Sequence, residues 1–180
     1  MNKIRVAVVS YGNIGKFSVE AIQAAPDMEL AGVVRRASSA GEIPAELIGV
    51  KVVSDISELG KVDVAVLCSP TRSIPEVAKA IMEKGICTVD SFDIHGEEMW
   101  KLRTLLGETG KMHKSAAIIS AGWDPGSDSV IRTLMLAMAP KGLTYTNFGP
   151  GMSMGHSVVA KSKPGVKDAL SMTIPTGTGI

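Results

Sequence analysis

The chain has little with which to hold a metal, a disulfide framework, a nucleic acid or a bilayer. Its only cysteines are Cys68 and Cys87, which lack a C-x-x-C spacing and are too few for a structural zinc site or a disulfide scaffold. Both lie in apolar, strand-like surroundings and read as reduced core thiols. His95, His113 and His156 share no ligand spacing, so no metal is expected. Nineteen Lys+Arg against eighteen Asp+Glu leave a net charge of +1, which provides no global field for nucleic acid or an anionic membrane. No apolar run reaches the roughly 18 residues of a membrane helix. The opening Met1–Val9 segment is too short and too charged for a signal peptide, and a cytoplasmic protein is expected. Aromatics are scarce at 4%, yet 45% hydrophobic and 21% charged residues are the proportions of a globular protein with a core. A length of 180 residues suits one α/β domain, or a domain and part of another.

Short β-branched runs alternate with segments of helical spacing. Strands are expected at Ile4–Val9, Glu29–Val34, Val64–Cys68, Ile86–Val89 and Ala116–Ser120, with helices at Ile14–Ala25 and Ile74–Lys84. This is the pattern of βαβ units wound into a parallel sheet. The runs around Val6–Val9 and Val62–Leu67 are almost continuously apolar, as strands covered on both faces must be. The texture changes after Ser120: a helix-like stretch runs to Met138, a strand is expected at Leu143–Phe148, a glycine-rich loop at Gly149–His156 and another strand at Leu170–Ile174. The expected fold is therefore α/β, a Rossmann-like doubly wound parallel sheet followed by part of a second α+β domain. Residues 1–120 would form a dinucleotide-binding domain. Residues 121–180 would begin a substrate-binding and oligomerisation domain.

Directly after the first strand comes Ser10-Tyr11-Gly12-Asn13-Ile14-Gly15, a G-x-G-x-x-G fingerprint with serine in place of its first glycine. In the order strand, turn, helix, Gly12 would let the backbone approach a pyrophosphate and Gly15 would let helix and strand pack closely. The helix start at Asn13–Gly15 would supply amides and a positive dipole. A site selective for NAD places a carboxylate about 20 residues further on. Here Arg35 and Arg36 stand 20 and 21 positions after Gly15, suited to a 2′-phosphate, so NADP is the expected cofactor. Ser69, Pro70, Thr71 and Arg72 form a second cofactor loop after the fourth strand, where Thr71 and Arg72 could touch ribose or phosphate and Ser73 could cap the next helix.

Two acidic loops should face the nicotinamide: Thr88–His95, with Asp90 and Asp93, and Ser120–Gly126, with Asp124. Acids there suit an ammonium that must lose protons before hydride leaves its carbon. Asp90 and Asp93 could equally be turn residues and Asp124 a helix cap. His113 reads as a solvated loop residue, His156 as a member of the glycine-rich loop, and Met152 and Met154 as an adaptable wall.

Together, Arg5–Gly15, Arg35-Arg36, Thr88–His95, Ile119–Gly126 and Asn147–His156 resemble the meso-diaminopimelate D-dehydrogenase family along essentially the whole chain. The WDPG and FGPGMSMGH segments are far more specific than the nucleotide-binding turn. The resemblance implies NADP-dependent oxidative deamination at the D-centre of meso-2,6-diaminopimelate, in reverse a reductive amination feeding lysine and cell-wall synthesis. Some relatives accept other D-amino acids. It also implies a homo-oligomer. By motif, Asp93 and Asp124 would bind the reacting amine, Trp123 and Phe148 would wall the substrate, Met154 and Gly155 would contact it, and Thr173 would help hold a carboxylate.

Two departures stand out. Ser10 replaces a glycine, which bears on the tightness of the turn. The family's later Arg, His and Asn for the substrate carboxylate have no counterpart, so the chain reads as truncated at its C-terminus. An alternative is therefore an NADP-binding module without turnover. An aldehyde-oxidising relative would need a thiolate in a polar cleft, which neither cysteine is expected to provide.

Overall fold

The computed structural model describes residues 3–36, 43–94, 96–123, 126–143, 151–152 and 154–174. The apolar run Ile4–Val9 forms β1, buried along Val6–Val9, and leads through a tight turn into α1 (Asn13–Ala24) and β2 (Met28–Val34). A single 3-10 turn at Ala45–Leu47 precedes β3 (Val52–Val53). A second one, Ile56–Leu59, is opened by a capping box in which Asp55 accepts from Ser57 N–H and Glu58 from Asp55 N–H. Next come β4 (Val64–Leu67), α2 (Ile74–Met82) with proline in its first turn, β5 (Cys87–Asp90), α3 (Glu97–His113), β6 (Ala117–Ile118) and α4 (Ser127–Met138).

The six strands lie in the order β3-β2-β1-β4-β5-β6, all parallel. The chain first builds outward from β1 through β2 to β3, then crosses back to lay β4 on the other side of β1. That reversal opens a crevice at the carboxyl ends of β1 and β4, where doubly wound sheets bind ligands. Helices on both faces bury two apolar layers. One is centred on Ala7, Ala65, Leu67, Ala78, Met82 and Leu106, the other on Val8, Val19, Ile22, Val33 and Leu47.

Most expected elements are present to within two residues at each end. Helix α3 was not among them. Its buried positions Leu102, Leu106, Thr109 and Gly110 include only two large apolar side chains, too narrow a stripe to stand out from its charged neighbours. It places His113 on its last turn rather than in a loop.

The chain divides into two compact units, Met1–Ile131 and Arg132–Ile180. In the second, β7 (Gly151–Met152) pairs antiparallel with β8 (Met172–Thr173), and α5 spans Met154–Lys161. The glycine-rich stretch is thus a loop only as far as the short strand, and His156 lies on a helix; glycine at 155 is tolerated in a first turn that continues into Ser-Val-Val-Ala. The Ser157 hydroxyl accepts from Ser171 N–H at 2.9 Å, tying the approach to β8 to the helix. The expected strand at Leu143–Phe148 falls largely outside the described residues. Among the described residues, no helix is long and apolar enough to cross a membrane.

Candidate active site at the carboxyl edge of the sheet

The turn after β1 is closed by Ser10, whose N–H donates to Val34 O at 2.9 Å and whose φ is +72°. The fingerprint's preference for glycine here is a demand for left-handed backbone, and serine meets it at a cost of about 1–2 kcal/mol. The turn is nonetheless tight: a Cβ on Gly15 would lie 2.5 Å from Ser10 O. Gly15→Ala should therefore force helix and strand apart and lower unfolding stability by on the order of 1–3 kcal/mol, read as a fall in the urea midpoint; an unchanged midpoint would show that the turn has slack.

Gly12 caps α1 with no side-chain hydrogen bond, and nothing stands within 4 Å of where its Cβ would be. Gly12 thus leaves its flank of the helix start open, where the amides of the first turn suit a diphosphate. Asn13 and Ile14 are exposed beside it. Tyr11 instead packs against the second core layer. Its hydroxyl is buried without a partner among the described residues, and burial, followed by the nearby Glu46 charge, pushes its pKa up. The Tyr11 hydroxyl is therefore turned away from the surface. Arg35, half-buried, and Arg36, exposed, follow β2 immediately, and Arg35 N–H donates to Val53 O at 2.9 Å. Since Val34 pairs with Val9, the arginines leave the sheet beside the turn.

The loop after β4 meets its neighbours on both sides. The hydroxyls of Ser69 and Ser10 are hydrogen-bonded at 2.8 Å, and the Thr71 hydroxyl donates to Asp93 Oδ1 at 2.6 Å. Ser73 caps nothing through its side chain; its hydroxyl donates to Pro70 O at 2.7 Å. Pro70 and Arg72 are exposed. Burial pushes the Cys68 thiol up, the opposite of what a nucleophilic thiolate needs.

Asp90 closes the far side. Only 2% exposed, it accepts at Oδ1 from Phe92 N–H at 2.9 Å and from Ser120 N–H at 3.3 Å, and its carbonyl accepts from Ala121 N–H at 2.7 Å. Oδ2 is buried without a partner among the described residues. Burial raises its pKa, against the lowering by those two amides. A raised folded-state value means that Asp90 favours the fold most when protonated and that this contribution is lost as pH rises through the folded pKa. Asp90→Asn, which keeps an acceptor for both amides, should thus compare better with wild type at pH 7 than at pH 3 in paired urea denaturations. A ΔΔG that does not change with pH would contradict it.

The turn beyond β6 is built by its two glycines. Gly122 and Gly126 form a β-bridge, Ser127 N–H donates to Gly122 O at 3.0 Å, and Asp128 N–H donates to Trp123 O at 2.8 Å. Gly126 has φ +136°, and a Cβ there would lie 1.8 Å from Gly122 O, so no other residue fits. Trp123 is 55% exposed.

The structure therefore brings Gly12, Gly15, Arg35, Ser69, Thr71 and Asp93 to one edge of the sheet. Asp124 and Phe148 lie outside the described residues, as do the side chains of Met154, Gly155 and Thr173. The Asp90–Phe92 bond is the turn contact that the sequence offers for Asp90, whereas the Ser10–Ser69 and Asp90–Ser120 contacts join residues far apart in the chain, and only the pairing of adjacent strands reveals them. Among the described residues no three His, Cys, Asp or Glu side chains gather as metal ligands.

Fold and edge together define a Rossmann-type doubly wound architecture, whose carboxyl edge is the ligand-binding edge. Residues 4–89 match the model of the oxidoreductase family with NAD-binding Rossmann fold, and residues 122–180 match the diaminopimelic acid dehydrogenase C-terminal domain. Over all 180 residues the chain is 63% identical to meso-diaminopimelate D-dehydrogenase of Bacteroides fragilis, spanning 60% of that relative. The Corynebacterium glutamicum DAP dehydrogenase in complex with DAP superposes with a TM-score of 0.73 at 35% identity, over 94% of this chain and 52% of that one. An engineered D-amino acid dehydrogenase bound to NADP+ superposes at 0.72 with 34% identity, over 94% and 52%. The chain is thus similar to meso-diaminopimelate D-dehydrogenases along its whole length and spans 60% of the length of the Bacteroides relative.

Proposed function

We propose that this protein oxidatively deaminates the D-centre of meso-2,6-diaminopimelate, or of another D-amino acid, using NADP. Residues 1–120 would bind the cofactor and residues 121–180 would contribute to substrate binding and oligomerisation in a homo-oligomeric, cytoplasmic enzyme. The observation that carries the reading is the display of Asp93, through Thr71, at the same sheet edge as the open glycine turn and the two arginines.

NADP+ supplies a two-electron acceptor for the hydrogen on the substrate's α-carbon. Arg35 and Arg36 would pair with its 2′-phosphate, the amides beyond Gly12 with its diphosphate, and Ser69, Pro70, Thr71 and Arg72 with its outer parts. Asp93 and Asp124 would receive the substrate ammonium and take its proton, so that the lone pair on nitrogen can form an imine as the C–H bond breaks. Water then adds to the imine, giving L-2-amino-6-oxopimelate and ammonia. Trp123 and Phe148 would wall the carbon chain, Met154 and Gly155 would touch it, and Thr173 would donate to a carboxylate.

The test is NADPH formation by this chain with meso-diaminopimelate beside a panel of D-amino acids and their L-enantiomers. Turnover confined to D-centres is expected. NADPH binding without turnover of any of them would identify a cofactor-binding module instead.

A further inference from the structure

We infer that Thr71 is a positioning residue for the amine-binding carboxylate: its hydroxyl holds Asp93 in place for the substrate ammonium, so that a loop read as a cofactor contact acts chiefly on the substrate side. This rests on the functional reading above and deepens it. The 2.6 Å separation of Thr71 Oγ1 and Asp93 Oδ1 is the spacing of a hydroxyl donating to an ionised carboxylate. Such a carboxylate accepts through both oxygens, so one bond to Thr71 fixes its orientation and leaves capacity for a cation.

Both ends of the contact are anchored. On one side, Phe92 is 2% exposed and its N–H is held by Asp90, so the backbone entering Asp93 is pinned from below. On the other, Thr71 begins a 3-10 turn in which Ser73 N–H donates to Pro70 O at 2.9 Å, and two residues earlier Ser69 is bound to Ser10. A β-branched side chain has few χ1 choices, so the Thr71 hydroxyl is already aimed. Without it, Asp93 would be an exposed side chain on a loop, free among rotamers, and a misplacement of about 1 Å at a reacting amine is enough to lose much of the rate. The same exposure means that the bond adds little to folding, which separates positioning from support of the fold.

The test compares Thr71→Val, of nearly equal shape, with Thr71→Ser, which keeps the hydroxyl. For Thr71→Val the kcat/KM for the D-amino acid should fall about tenfold, the KM for NADP should change much less, and the urea midpoint should stay put. Thr71→Ser should recover most of the loss, and adding Thr71→Val to Asp93→Asn should cost nothing further. A loss located in the NADP KM, equal losses for both Thr71 variants, or a full additional loss in the double variant would each overturn the assignment. The contact is also read without turnover, from the Asp93 side-chain carboxyl 13C resonance. Thr71→Val should move it and Thr71→Ser restore it. If the wild type turned over no amino acid, the functional reading would fail by itself, and an unmoved resonance would still sink the contact.

Discussion

Replacing Arg35 and Arg36 together by alanine will weaken NADPH binding on the order of 100-fold and leave NADH binding nearly unchanged. A hydrogen bond to a charged group contributes about 1.5–3 kcal/mol where it is shielded and less where it is wet. Arg35 is half-buried and Arg36 exposed, so a joint loss of about 2.8 kcal/mol, two factors of ten, is the expected size. The preference should also shrink as salt is added, because the pair acts at the surface. Titrating both cofactors by fluorescence against wild type and variant decides the matter: equal losses for the two would remove the arginines from phosphate recognition. Lysine substitutions should recover only part of the affinity, since an ammonium cannot grip a phosphate with two parallel N–H bonds.

Asp93→Asn and Asp124→Asn should each lower turnover by roughly 10²–10⁴-fold, the range of a removed proton acceptor, with NADPH affinity within about twofold of wild type. The amide is nearly isosteric but neutral, so it neither balances an ammonium nor takes its proton. Steady-state rates with a D-amino acid, beside cofactor titrations, separate the effects. Unchanged turnover in either variant would exclude that residue from the proton pathway. A parallel loss of NADPH affinity in Asp93→Asn would instead mean that the Thr71–Asp93 contact shapes the cofactor loop.

Both expectations began as positions in a string, and they differ in how far the string could support them. The offset from Gly15 to Arg35 is measured along one strand–helix–strand unit, so spacing in the chain is spacing in space. The case for Asp93 is different. Its place at the end of a strand is readable from the apolar run that precedes it, but whether it is a turn residue or a displayed acceptor depends on Asp90, which takes the turn's N–H itself, and on Thr71, 22 residues away. Helix α3 marks the opposite limit. Its fully buried stripe holds only Leu102 and Leu106 as large apolar side chains, so burial there leaves only a faint periodic trace.

Local chemistry alone specified the strands, the order of βαβ units, the glycine turn and the arginine pair, because backbone propensity and burial on two faces act through near neighbours. Tertiary packing decided the rest. It set Ser10 in a left-handed conformation that its residue type disfavours and joined Ser10 to Ser69 and Thr71 to Asp93. These contacts link the ends of strands adjacent in the sheet but distant along the chain, and parallel pairing, which no local pattern encodes, is what brings them within hydrogen-bonding reach.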